Sequence, residues 1–94
     1  MFDVKVGKDG TVQLIGRFDA AQAPRATDVL ATLEGECIID CRDLDYISSA
    51  GIGVLIATYT RLREQGKNLR LTNLNPNITR VLHYAGLTSI FEVG

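Results

Sequence analysis

The sequence predicts an α/β fold in which helices pack on a mixed, mostly parallel sheet, with elements in the order ββαβαβαβ. Two observations carry this. Apolar residues recur with a period of two at the N-terminus, and short apolar runs then alternate with stretches of helical spacing. Proline and glycine bracket the helical stretches where helices start and stop. Strands that alternate with helices need right-handed crossovers between parallel neighbours, whereas the first two strands are close enough in sequence to form a hairpin.

Phe2, Val4 and Val6 alternate with polar residues, as do Val12, Leu14, Gly16 and Phe18, and "GKDG" between them supplies a glycine-bearing turn. After "RFDAAQAP" the period changes. Ala23, Ala26, Leu30 and Leu33 recur at helical spacing, with Pro24 in the first turn and Gly35 beyond the end. "CIIDC", Cys37 to Cys41, is a short apolar run that suits a strand buried on both faces. In the next helix Ile52, Leu55, Ile56, Tyr59 and Leu62 share one face, Arg61, Arg63 and Glu64 solvate the far end, and Gly66 closes it. "KNLRLTNL" gives a strand, Asn75 and Pro76 open a third helix carrying Ile78, Val81, Leu82 and Ala85, and "SIFEV" gives a last strand.

Ninety-four residues, 46% of them apolar, imply one domain over 1–94. A chain of this length buries only about 60 to 65% of its unfolded surface, which leaves little for a second core. A formal charge of -1 gives no electrostatic reason to expect nucleic acid or an anionic membrane as partner. The N-terminus lacks the basic flank and apolar core of a secretory signal, and no apolar run approaches the roughly 18 residues that span a bilayer. The expected location is the cytosol, without membrane insertion. Cys37 and Cys41 sit on one strand, where at about 3.3 Å per residue their Cα atoms lie roughly 13 Å apart. A disulfide needs less than about 7 Å, so both read as small apolar core residues. With one histidine in the chain, no zinc site is expected.

Chemistry in an open sheet of this kind sits where strand C-termini lead into helix N-termini. Two loops qualify, "GRFDAAQ" and "RDLDYISSAG". In the second, Ser48 and Ser49 precede a helix, so one of them caps it by accepting a hydrogen bond from a free backbone N–H. A serine there is also a candidate phosphosite, because phosphate would face unpaired N–H groups and the positive end of the helix dipole. A nucleophile elbow around Ser49 is set aside: position 47 is Ile instead of Gly, and the only histidine, His83, lies on the third helix. "GIG", Gly51 to Gly53, is half a dinucleotide fingerprint, with Ile56 where a third glycine belongs and no P-loop lysine. Glycines at 51 and 53 are expected to let the helix start approach the sheet or a partner. Asp19, Asp40, Asp43 and Asp45 suggest a hard-metal or phosphoacceptor cluster, but the last strand carries no lysine to complete a receiver site. No catalytic residue, cofactor or metal is therefore assigned, and the protein is expected not to be an enzyme.

The order of elements together with "DCRDLDYISSAGIGVLI" resembles the STAS domain, the fold of anti-sigma-factor antagonists and of the cytosolic tails of sulfate transporters. In that block Asp40 ends the strand, Ile47 is the apolar residue before the loop, and Ser49, Ala50, Gly51, Ile52 and Gly53 follow the family pattern. "GRFDAAQAP" resembles the family's second signature, a turn that opens the first helix. The family commonly carries Asp before its phosphoacceptor, and Ser48 stands in that place. Many members end with an additional helix, and none is expected here, since nothing follows Gly94.

The resemblance implies a partner-switching regulator, an anti-sigma-factor antagonist that binds an anti-sigma factor serine kinase and is released when that kinase phosphorylates Ser49; a serine phosphatase resets it. By position Ser49 inherits the phosphoacceptor role as a cap that doubles as a switch, with Ser48 as second candidate. Asp19, Ser48, Ser49, Ala50, Gly51, Ile52 and Gly53 are the expected partner-binding residues, framed by Arg17, Arg42, Asp43 and Asp45. Two other readings stay open: a non-phosphorylated STAS adaptor such as a lipid-transport subunit, and a nucleotide-binding or small-ligand-binding STAS module. A free-standing chain argues against the transporter branch.

Overall fold

The computed structural model describes residues 2–33 and 35–87, and the backbone of 92–93. Its elements are β1 (Phe2–Val6), β2 (Val12–Phe18), a 3-10 turn (Ala20–Gln22), α1 (Ala23–Ala31), β3 (Cys37–Asp40), β4 (Leu44–Ile47), α2 (Ser49–Glu64), β5 (Leu69–Thr72), α3 (Pro76–Tyr84) and β6 (Glu92–Val93). The expected α/β class with a mixed sheet is what forms. Of the expected last strand, Ser89 to Phe91 lie outside the described residues.

Among the described residues one sheet runs in the order β1-β2-β3-β5-β6, with β1 and β2 antiparallel and the other pairs parallel. β4 is a strand the sequence reading treated as loop. It pairs with the second half of β2, Arg17 beside Tyr46 and Phe18 beside Ile47, while the first half of β2 pairs with β3. The ladder shifts register between Gly16 and Arg17, and Gly16 takes a φ of 88° that a side chain would resist. β2 thus has two successive neighbours on one side. The second of them ends at Ile47, where the helix of interest begins.

The helices cover one face of this sheet. Val12, Ile39 and Leu71 are lateral partners and all are fully buried, with Leu14 and Phe18 further along β2. They meet Ala26 and Leu30 of α1, Leu55 and Leu62 of α2, and Ile78 and Leu82 of α3. The opposite face carries Lys5, Gln13, Ile38 and Arg70 and is exposed. The expectation that "CIIDC" is buried on both faces is therefore corrected: Ile38 is 40% exposed, because among the described residues no second helix layer covers it. Cys37 and Cys41 are buried free thiols, as their reading as core residues required.

α1 begins with Pro24 in its first turn, and α3 begins at Pro76 behind Asn75, whose side chain accepts from Ile78 N–H at 3.0 Å. The same Asn75 donates to the Leu44 carbonyl at 2.6 Å, so one residue caps α3 and ties it to β4. The buried face of α2 differs from expectation. It is made by Gly51, Val54, Leu55, Thr58 and Leu62, so the helix is turned relative to the stripe read from the sequence, and Ile56 is exposed. Thr58 is buried without cost because its hydroxyl donates to the Val54 carbonyl at 2.8 Å. Arg61, expected to solvate the helix end, instead donates to the Leu30 carbonyl of α1 at 2.9 Å.

Candidate functional site

The site is built where β2 and β4 end side by side. Ser48 N–H donates to the Phe18 carbonyl at 2.9 Å, which locks the two strand ends together and puts the next residues, Asp19 and Ser49, at the same edge of the sheet. Ser48 is extended, with φ −86° and ψ 172°, and its carbonyl accepts from Ile52 N–H at 2.9 Å as the first bond of α2. Its hydroxyl accepts from Gly51 N–H at 3.2 Å. The cap is therefore Ser48. The expectation that Ser49 caps the helix is corrected: Ser49 is the first helical residue, and its side chain is exposed. The distinction is one of backbone: a capping side chain must come from the extended residue before the helix, and that residue is 48.

The two glycines of "GIG" do different things. A Cβ on Gly51 would stand 2.8 Å from Ile47 Cγ1, 3.0 Å from the Phe18 carbonyl oxygen and 3.1 Å from Phe18 Cγ. Only glycine lets the first turn of α2 lie this close to the strand ends. A Cβ on Gly53 would meet nothing within 4 Å. Glycine in mid-helix costs about 1 kcal/mol relative to alanine, so packing within the chain gives no reason for it. Gly53 lies on the exposed side of α2 with Ser49, Ile56 and Thr60, and half-buried Ile52 borders them. The spacings of four, three and four residues put these positions on one face.

Sequence reasoning missed Ile56, which it assigned to the core; at 37% exposure it extends this surface. The signal that could have found it is Thr58. Given a threonine able to bond back to position 54, the buried stripe can pass through 54, 55, 58 and 62 and release 52 and 56.

Asp19 precedes the 3-10 turn but does not cap it with its side chain, and its Oδ1 is a buried oxygen with no hydrogen-bond partner among the described residues. Arg17 lies on the opposite sheet face, where its guanidinium stacks over the Tyr46 ring at 4.3 Å. The structure thus separates Arg17 from Asp19 and Ser49, which the sequence placed together. Arg42, Asp43 and Asp45 are exposed on the approach to α2. Asp40 belongs to the fold: its Oδ1 accepts from Arg42 N–H at 2.9 Å and Asn73 Nδ2 at 3.1 Å, and these bonds hold its carboxyl below the usual range despite partial desolvation. Among the described residues no three His, Cys, Asp or Glu side chains gather as a metal site.

The described cavities are shallow and lie away from this edge, one between α1 and α2 beside Thr27, Val54 and Arg61, the other at the end of α1 near Leu33 and Lys67. What the site offers is a surface: an exposed hydroxyl at a helix start, a half-buried acid beside it, and a ridge of small and apolar residues along the helix.

A family model described as "Mlab, STAS domain" matches residues 1–92. The anti-sigma-B factor antagonist of Bacillus subtilis is 32% identical over 95 residues, which cover 97% of this chain and 87% of that protein. An anti-sigma factor antagonist from Mycobacterium paratuberculosis has a structure that superposes with a TM-score of 0.80 at 22% identity, over 99% of this chain and 83% of that one. The phosphorylated form of the Bacillus cell fate determinant SpoIIAA superposes with a TM-score of 0.72 at 18% identity, over 100% of this chain and 91% of that one.

Proposed function

The chain belongs to the STAS domain family, and from that premise we propose that it is a non-catalytic, cytosolic partner-switching regulator: an anti-sigma-factor antagonist that binds an anti-sigma factor serine kinase and is released by phosphorylation of Ser49. The relatives' names support the antagonist role. The observation that carries the choice of residue is the division of labour at the helix start. Ser48 Oγ is engaged by Gly51 N–H and half-buried, whereas Ser49 is exposed beside it. A kinase can reach the second without opening the helix.

The partner docks on Asp19, Ser48, Ser49, Ala50, Gly51, Ile52 and Gly53, with Gly53 leaving room for its backbone or a large side chain. In that interface a serine hydroxyl is tolerated. A phosphate brings roughly −1.5 to −2 charges, which must be desolvated next to the Asp19 carboxylate. A buried charge without a partner costs several kcal/mol, enough to change affinity by orders of magnitude. A serine phosphatase then restores the binding form.

The test is to incubate the protein with ATP and an anti-sigma factor kinase of the same organism and to map the modified residue by mass spectrometry. Phosphate on Ser49 is expected. Phosphate on Ser48 alone, or none while the kinase modifies a control antagonist, contradicts the proposal. The second outcome would favour an adaptor module, a reading supported by the neutral Ser48 in the position where the family's switch loop usually carries an acid.

A further inference from the structure

β1 is the outer strand of the sheet, on the side of β2 away from β4. Its ladder to β2 uses Asp3 and Lys5, since the hairpin closes through Gly7 N–H to the Thr11 carbonyl and bonding residues alternate from there. Phe2, Val4 and Val6 therefore turn their backbone groups outward, to the open edge. Two of these groups are covered by side chains of the same chain. Val4 N–H donates to Asp3 Oδ1 at 2.9 Å, and the Phe2 carbonyl accepts from Arg25 Nη1 at 3.2 Å. Arg25 Nη2 bonds the same Asp3 oxygen, so an ion pair lies across the strand edge. An incoming strand would need the groups this pair occupies.

The geometry points to β1 as a latent pairing edge for a second copy of this chain, latched by the Asp3–Arg25 pair. A two-fold antiparallel pairing centred on Val4 sets Val4 against Val4 of the second copy and Phe2 against its Val6, joining the outward backbone groups. The same register sets Asp3 opposite Lys5 of the second copy, and Lys5 opposite its Asp3, as non-hydrogen-bonded pairs, whose side chains are closest. Asp3 would exchange Arg25 for a lysine across the interface, so the strand is charge-complementary to itself. Val6, already 48% exposed, gains an apolar neighbour in Phe2. The Ser49 surface adjoins β4, across β2 from this edge, so a partner bound there does not compete for β1.

Sedimentation equilibrium of the whole chain tests this. Arg25→Ala removes the latch and keeps the cross-strand charges, and is expected to tighten self-association by about tenfold over the wild type. Within Arg25→Ala, adding Asp3→Lys or adding Lys5→Asp sets like charges opposite each other, and each of these double variants is expected to be monomeric. An equimolar mixture of the two restores opposite charges and is expected to dimerise. All three positions are on the strand edge or its exposed surroundings, and circular dichroism verifies that each variant folds. Arg25→Ala that self-associates no more than the wild type overturns the proposal. So does a dimer that persists in either charge-altered variant alone.

Discussion

Ser48 Oγ accepts a hydrogen bond from Gly51 N–H at 3.2 Å, closing the first turn of α2 and leaving its neighbour Ser49 exposed to solvent. Adjacent serines at one helix start therefore have different work. Ser48→Ala leaves an N–H of the first turn unpaired and is expected to lower stability by about 1 kcal/mol. Ser49→Ala is expected to stay within about 0.5 kcal/mol of the wild type. Urea denaturation of the two variants checks this, and equal losses would contradict the assignment of the cap.

Gly51 and Gly53 are expected to respond oppositely to alanine. Gly51→Ala presses a methyl group against Ile47 and Phe18 and pushes α2 off the strand ends, at a cost of about 1 to 3 kcal/mol that exceeds the gain in helix propensity. Gly53→Ala meets open space and is expected to stabilise the protein by up to about 1 kcal/mol while weakening partner binding. Thermal denaturation beside a binding titration separates the two. A Gly53→Ala protein that is more stable and binds as the wild type does would remove Gly53 from the interface.

The two thiols give a pH prediction. Burial pushes Cys37 up to about 11 and Cys41 up to about 12, from an ordinary value of 9.0; the nearby Asp40 carboxylate adds to the rise at Cys41, and Arg61 opposes it at Cys37. Unfolded thiols ionise first, so this contribution to stability is complete below about pH 9 and is lost as the pH climbs through the folded values. Folded protein at pH 8 is expected to react with neither equivalent of a thiol reagent, and both cysteines to react in denaturant. Rapid labelling of the folded chain would contradict their burial.

Helix punctuation was legible because it is local. Pro24, Asn75 with Pro76, and Gly66 each act within one turn of the residues they start or stop. β4 was not legible, because Asp45 within "LDYI" disfavours a strand, and the β2 edge freed by the register shift at Gly16 and the Asn75 bond to the Leu44 carbonyl, both distant in sequence, hold it in place. The one-sided burial of β3 depends on where every helix lies, which a four-residue run cannot encode. At the site, the motif located the loop. Placing the cap at Ser48 instead of Ser49 needed the backbone angles, and the position of Ile56 needed the phase of α2, which Thr58 disguises.

The most direct test of the switch is calorimetric binding of the wild type, Ser49→Ala and Ser49→Asp to an anti-sigma factor kinase from the same organism. The account predicts that Ser49→Ala binds as tightly as the wild type and that Ser49→Asp, which places a charge at the interface, binds at least about a hundredfold more weakly. Equal affinity of the alanine and aspartate variants would contradict it.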